Sequence, residues 1–235
     1  MAEEFESARS AFARDDVESR DFALPFINLF PVTGAAVCTL GDLLGSETLS
    51  ASNEAAARLD EVQFDLGEGP CWDAVRTASP VLAPLFREAE AARRWPAFVR
   101  ALEGEPIASV FAFPLSVGHL RFGAVDMYSE RTMTLDAAQA AQAGALAGLL
   151  GKQVLRRALE NMGVEAHDGG PHSRRVIHQA TGMVLAQLEL NPEDARLLIN
   201  GHAFATGRST REVAEDIVGK RLRFSREGGA IEEKP

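Results

Sequence analysis

Residues 173–218, SRRVIHQATGMVLAQLELNPEDARLLINGHAFATGRSTREVAEDIV, read as three short helices, each with its own start signal. Ser173 opens the first, whose apolar stripe of Val176, Ile177, Ala180, Val184 and Leu188 follows helical spacing. Asn191-Pro192-Glu193-Asp194 supplies an N-cap, a proline at the first helical position and acids in the first turn, so a second helix begins there. It ends near Gly207, a residue that closes helices in the left-handed conformation. Ser209-Thr210-Arg211-Glu212 is a capping-box pattern that starts the third helix. Residues 172–224 therefore read as an all-α three-helix domain, and residues 225–235 as a disordered tail.

Upstream, residues 163–171 are rich in Gly, His, Asp and Pro and form the clearest linker. Before it, Thr134 or Asp136 caps a long helix over 135–162. Its second half carries Leu146, Leu150, Leu155, Leu159 and Met162, close to a coiled-coil seam but too short and irregular to establish pairing. Ahead of that helix the pattern is one of strands: Ala35–Leu40, Glu47–Ser52, Val81–Phe86, and the pair Ala108–Val117 and Leu120–Tyr128 joined around Gly118-His119. Between them Asn53 caps a helix over Glu54–Leu59, Pro70 opens one after the turn Gly67-Glu68-Gly69, and Trp95-Pro96 opens another to about Leu102. Residues 1–20 read as a short frayed helix or tail, with Phe5, Ala8 and Phe12 at helical spacing. The fold class expected is α+β: an antiparallel sheet with helices over 21–150, a long connecting helix, and the three-helix domain.

Charge divides along the same boundary. Residues 1–171 hold 14 Lys/Arg against 25 Asp/Glu, whereas residues 172–224 hold 8 against 6. The overall net charge of −10 argues against a generic affinity for nucleic acid or anionic membrane, while the mildly positive C-terminal unit is compatible with nucleic acid. Cys38 and Cys71 are the two cysteines and sit in no CxxC pattern, which disfavours a disulfide framework or a zinc site and favours a reducing compartment. The acidic start MAEEFESARS is not a signal peptide, and Ala137–Leu150 is too short and Ala-rich to span a bilayer. The protein is expected to be cytoplasmic, away from membranes.

Two runs carry a resemblance. Gly67–Arg76 (GEGPCWDAVR), Arg94-Trp95-Pro96-Ala97-Phe98 and FPLSVGHLRFGAVDMYS resemble a GAF domain of actinobacterial regulators. RRVIHQATGMVLAQLELNPEDARLLINGHAFATGRSTREVAEDIV resembles the ANTAR domain of transcription antiterminators, in helix lengths, caps and the small residues Ala180, Gly182, Ala195, Ala203 and Ala214. The resemblance implies a sensory GAF fold coupled to a dimeric ANTAR unit that binds paired RNA stem-loops in nascent transcripts and permits read-through of a terminator. Where this chain has Thr181 many ANTAR domains carry a lysine, and another basic residue often stands where Ser209 does. Two phosphate contacts are thus missing, which lowers affinity and flattens its salt dependence.

Candidate RNA contacts are Arg174, Arg175, Arg208 and Arg211 for phosphates, with Gln179, Thr181, Ser209 and Thr210 as polar neighbours. Exposed Arg pairs also occur simply as solvated helix starts, and the alanines and Gly182 read as packing residues. Candidates for lining a sensory pocket, where a small-molecule or protein signal would act, are Cys71, Trp72, Trp95 and Asp126; each has an alternative as core. Cys71 at a helix start could carry a lowered thiol pKa and sense oxidants, and Asp126 faces either a cavity or a hydrated side of the sheet. His119, His167, His172, His178 and His202 share no metal-ligand spacing. No catalytic set and no cofactor or metal is expected. The competing readings are a DNA-binding regulator, opposed by Glu212, Glu215 and Asp216 on the would-be recognition helix; a sensory dimer without nucleic-acid affinity; and a sulfoxide reductase, for which two cysteines are too few.

Overall fold

The computed structural model describes residues 2–41, 44–161, 175–227 and 230–234, and the chain divides into two compact units, Met1–His172 and Ser173–Pro235. In the first, α1 (Ala2–Arg14), α2 (Leu24–Leu29), β1 (Gly34–Thr39), β2 (Glu47–Ala51), α3 (Glu54–Leu66), α4 (Pro70–Thr77), β3 (Val81–Ala83), α5 (Ala89–Arg94), α6 (Pro96–Ala101), β4 (Ser109–Val117), β5 (Leu120–Ser129) and α7 (Ala137–Asn161) follow in order. The five strands form one antiparallel sheet, β2-β1-β5-β4-β3.

Side-chain alternation divides this sheet into two buried faces. Ala35 and Val37 of β1 and Phe111, Phe113 and Leu115 of β4 pack with α1, α2 and α7. Ala36, Val110, Ala112 and Tyr128 point the other way, against α3 to α6. Both faces are covered, so β1 (GAAVCT) is buried at every position and reads as a continuous small-apolar run. The α+β architecture is the one expected from the sequence.

Element ends differ from the sequence reading for local reasons. Helix α3 runs beyond Leu59 to Leu66, since Val62 and Phe64 are core residues and Gly67 closes the helix at φ 63°. Strand β3 stops at Ala83 because Pro84 cannot donate to the ladder. In α1 Phe12 is buried against Phe22 and Phe26, and the helix packs on α7. At the end of α1, Asp15 accepts from Gln153 and pairs with Arg156 and Arg157 at 2.7 Å each, so charged groups tie the chain's start to the distal turns of α7. Asp136 and Gln139 exchange backbone–side-chain hydrogen bonds at the start of α7, a reciprocal cap. Of the expected seam, Leu146 and Leu150 are buried in the first unit's own core, Leu159 is exposed, and Met162 lies outside the described residues.

The second unit contains α8 (Arg175–Leu188), α9 (Pro192–Thr206) and α10 (Thr210–Val218), followed by a hairpin of β6 (Arg223–Glu227) and β7 (Ala230–Lys234). The expected caps are in place: Asn191 Oδ1 accepts from the Asp194 N–H at 2.8 Å, Gly207 adopts φ 66°, and Ser209 and Glu212 form the capping box. Ile177, Ala180, Val184, Leu188, Ala195, Ile199, Ala203, Val213, Ala214 and Ile217 make the core. The expectation of a disordered tail over 225–235 is corrected. Phe224 packs into this core, its N–H donating to Gln187 Oε1 at 3.1 Å, and the pairing of β6 with β7 carries order on to Lys234. The expected linker at 163–171 lies outside the described residues.

Candidate functional site

In the second unit the expected RNA contacts divide into two groups on separate elements. Arg175 and Gln179, one turn apart, are exposed on α8, whereas Arg174 lies outside the described residues. Thr181 is half-buried, and its hydroxyl donates to the Ile177 carbonyl at 2.8 Å, so its proton is spent inside the helix. At the α9–α10 junction Arg208 donates to Asp216 Oδ2 at 2.6 Å and to the Glu212 carbonyl at 3.2 Å. Hydrogen bonds from Arg208 and then Arg221 hold the Asp216 carboxyl below the usual range, against a smaller opposing effect of burial. Ser209 Oγ accepts from the Glu212 N–H at 3.2 Å, while the Glu212 carboxylate accepts from the Ser209 N–H at 2.8 Å.

Thr210 does not fit the role assigned to it. It is 1% exposed, with its hydroxyl 3.3 Å from Asn200 Oδ1, so it is a core residue behind the cap. Gly182 is corrected in the opposite direction: it is exposed, and a Cβ there would meet open space, whereas Ala180, Ala195, Ala203 and Ala214 are packed as expected.

Two residues escaped the sequence reading. Phe204 is 72% exposed and Leu197 64% exposed, on one face of α9. The signal was available, because the buried stripe Ala195, Ile199, Ala203 advances by four, and both large side chains fall off it.

In the first unit the pocket candidates separate. Trp95 is buried in the core beside α6, its indole N–H donating to Asp73 Oδ2 at 3.1 Å. The same oxygen pairs with Arg94 at 2.7 Å, and the Arg94 guanidinium lies 4.7 Å from the Trp95 ring centre. Cys71, Trp72 and Asp126 converge elsewhere, beneath the start of α4. Trp72 Nε1 donates to the Gln63 carbonyl at 2.7 Å, and the Cys71 N–H donates to Gln63 Oε1 at 2.8 Å. The amide is thereby oriented, and its Nε2 donates to Asp126 Oδ2 at 2.8 Å. Gly69 admits Gln63 here: at φ 139° it takes a conformation rare for other residues, and a Cβ would stand 2.5 Å from Gln63 Oε1.

Asp126 does not face a hydrated side of the sheet; it points from β5 into the α3/α4 layer, fully buried. Beside it are Cys38 of β1 and Asp60 of α3, which accepts from the Thr48 hydroxyl at 2.5 Å. Burial, then the charge of Asp60, pushes the Asp126 carboxyl well above its ordinary range, against the opposing hydrogen bond from Gln63. Burial also pushes the Cys71 thiol up to about 12. Of the two readings of Cys71, an acidified thiol or a buried core residue, the structure has the second, and desolvation outweighs the helix terminus. Cys38 Sγ and one oxygen each of Asp60 and Asp126 lie within 4.8 Å of one another, a metal-ligating grouping that sequence spacing did not reveal.

A GAF domain model matches residues 27–154 and an ANTAR domain model matches residues 171–218. No curated protein matches the chain. Among solved structures, the GAF domain of an Acinetobacter phosphoenolpyruvate-protein phosphotransferase is 12% identical, with 71% of this chain and 97% of that one covered at a TM-score of 0.52. The GAF domain of a Coxiella burnetii phosphoenolpyruvate-protein phosphotransferase is 10% identical, with 68% and 98% covered at a TM-score of 0.51. At these identities the likeness is one of fold. Among the described residues no helix is long and apolar enough to cross a membrane.

Proposed function

The chain belongs to the GAF family and carries an ANTAR domain, and from that premise we propose that it is a signal-responsive transcription antiterminator that binds RNA stem-loops in nascent transcripts. GAF domains are sensory and ANTAR domains are RNA-binding antitermination modules, so the pairing is that of a cytoplasmic regulator rather than an enzyme. The small second unit works as a homodimer, since a domain of this size has a modest core and two copies present paired surfaces to paired hairpins. A small-molecule or protein signal favours one arrangement of the GAF unit, and its effect on RNA affinity is bounded by its differential affinity for the two arrangements.

The reading is carried by the junction of α9 and α10, within the ANTAR match. There Arg208, Ser209 and Arg211 surround a capped helix start, and the exposed ring of Phe204 stands in the last turn of the preceding helix. A loop base splayed out of a hairpin stacks on such a ring, while the arginines meet the flanking phosphates. Arg175 and Gln179 extend the contact along α8, and Arg174, next to them in sequence, is assigned the same role; Thr181 contributes little because its hydroxyl is committed to Ile177.

The test uses the full chain at low and moderate salt with a tandem-hairpin RNA, a scrambled strand and duplex DNA. The hairpins are expected to bind tightest. Arg211→Ala should reduce the salt slope by roughly one, and Phe204→Ala should cost about 1–3 kcal/mol of binding. Equal affinity for all three nucleic acids, or a preference for DNA, overturns the reading.

A further inference from the structure

The RNA reading makes no use of the buried grouping in the first unit. Cys38, Asp60 and Asp126 come from β1, α3 and β5, and all three are fully buried. The orientation of Gln63 matters here. Its carbonyl end is held by the Cys71 N–H, so its NH2 end faces Asp126 Oδ2. Asp126 Oδ1 is left without any hydrogen-bond partner in a place from which water is excluded. A buried carboxylate oxygen in that position is unfavourable unless a proton or a cation meets it. The nearest ligating groups to meet such a cation jointly are a sulfur and a second carboxylate.

We propose that Cys38, Asp60 and Asp126 form a binding site for a divalent first-row transition-metal ion of the zinc class. One sulfur with two carboxylate oxygens suits such an ion, because hard cations such as magnesium or calcium avoid thiolate. As the bonds to the metal form, the S–H bond of Cys38 and the O–H bond of the Asp126 carboxyl break, and both protons pass to solvent. Thr48 on Asp60 and Gln63 on Asp126 are the outer partners that aim the ligating oxygens. Three protein ligands leave a tetrahedral ion one coordination position for water or an exogenous donor, the pattern of reactive rather than purely structural sites. The proposal does not depend on the RNA reading.

Because the ligands are buried, the metal-stripped full chain is loaded both in the folded state and during refolding, with cobalt(II) as probe. One equivalent is expected, with a thiolate-to-cobalt charge-transfer absorption that zinc displaces. Cys38→Ser should abolish that absorption, and Gln63→Ala should weaken uptake roughly 10- to 100-fold. Circular dichroism and melting curves establish that each variant is folded. Should Cys38→Ser not fold, the near-isosteric Asp126→Asn carries the test: zinc raises the melting temperature of the unaltered chain and leaves that of Asp126→Asn unmoved. No uptake under either loading condition overturns the proposal. So does a cobalt spectrum that survives Cys38→Ser, or zinc stabilisation that survives Asp126→Asn.

Discussion

Two aspartates, one in each unit, are displaced in opposite directions. Asp126 lies under α4 with no cation among its hydrogen-bond partners, and burial raises its carboxyl well above the ordinary range. Asp216, on a surface helix, is clasped by Arg208 and Arg221 at 2.6 Å each, and its carboxyl is lowered. Residue type alone predicts neither. The cluster under α4 hides its polar groups and suppresses their charge; the junction of α9 and α10 displays its charges and pairs them. That contrast accords with a sensor core that must be reached through structural change and an output surface that meets a polyanion directly.

The largest test of this contrast is chemical. With a thiol pKa near 12, Cys71 of the metal-free protein should react with iodoacetamide at about pH 8 roughly a thousandfold more slowly than after unfolding, from thiolate fraction alone. Labelling of the native chain at the unfolded rate would break the picture of a sealed first unit. Next in size, Gln63→Leu removes the acceptor for the Cys71 N–H and the donor to Asp126, and should cost about 2–3 kcal/mol in urea unfolding of the first unit. Ser209→Ala removes one exposed cap and should cost about 1 kcal/mol in the second. Equal penalties would mean that burial is not what separates the two polar clusters.

The smallest effect is the acid dependence of the second unit. The folded carboxyl of Asp216 is depressed, so its contribution is present above the unfolded pKa of about 4 and is lost as pH falls through the lower folded value. Melting temperatures followed downward from about pH 5 should therefore fall less steeply for Asp216→Asn than for the unaltered chain. Identical slopes would show that the arginine clasp is immaterial in solution.

What the sequence disclosed follows from the range of each signal. The helices of the second unit were legible because their signals are local: Asn191 and Asp194, and Ser209 and Glu212, stand three positions apart. The strands were legible as short apolar runs bounded by turn residues such as Gly41, Gly45 and Gly118-His119. Cys38 and Asp126 could not be brought together in this way, since their shared face depends on the register that sets Cys38 opposite Ala124 and Ala36 opposite Asp126. Asp60 arrives from a helix, which no strand pattern predicts. Thr210 was misread because a hydroxyl next to an N-cap resembles surface, although its side chain turns inward toward Asn200. The closing strand pair did leave a local sign in the sequence, Gly228-Gly229 between the two segments, which reading residues 225–235 as a disordered tail passed over.

The clasp between Asp15 and the far turns of α7 bears on how information leaves the sensor. Continuity of the backbone makes those turns the exit from the sheet toward the RNA-binding half. Whatever rearrangement a stimulus produces must either preserve this buckle and swing the rod as a whole, or undo it and let the rod's end fray. Asp15, at the end of α1, is thus a fastening on those turns, and Asp15→Asn, which leaves Phe12 in the core, should loosen it while leaving both units folded.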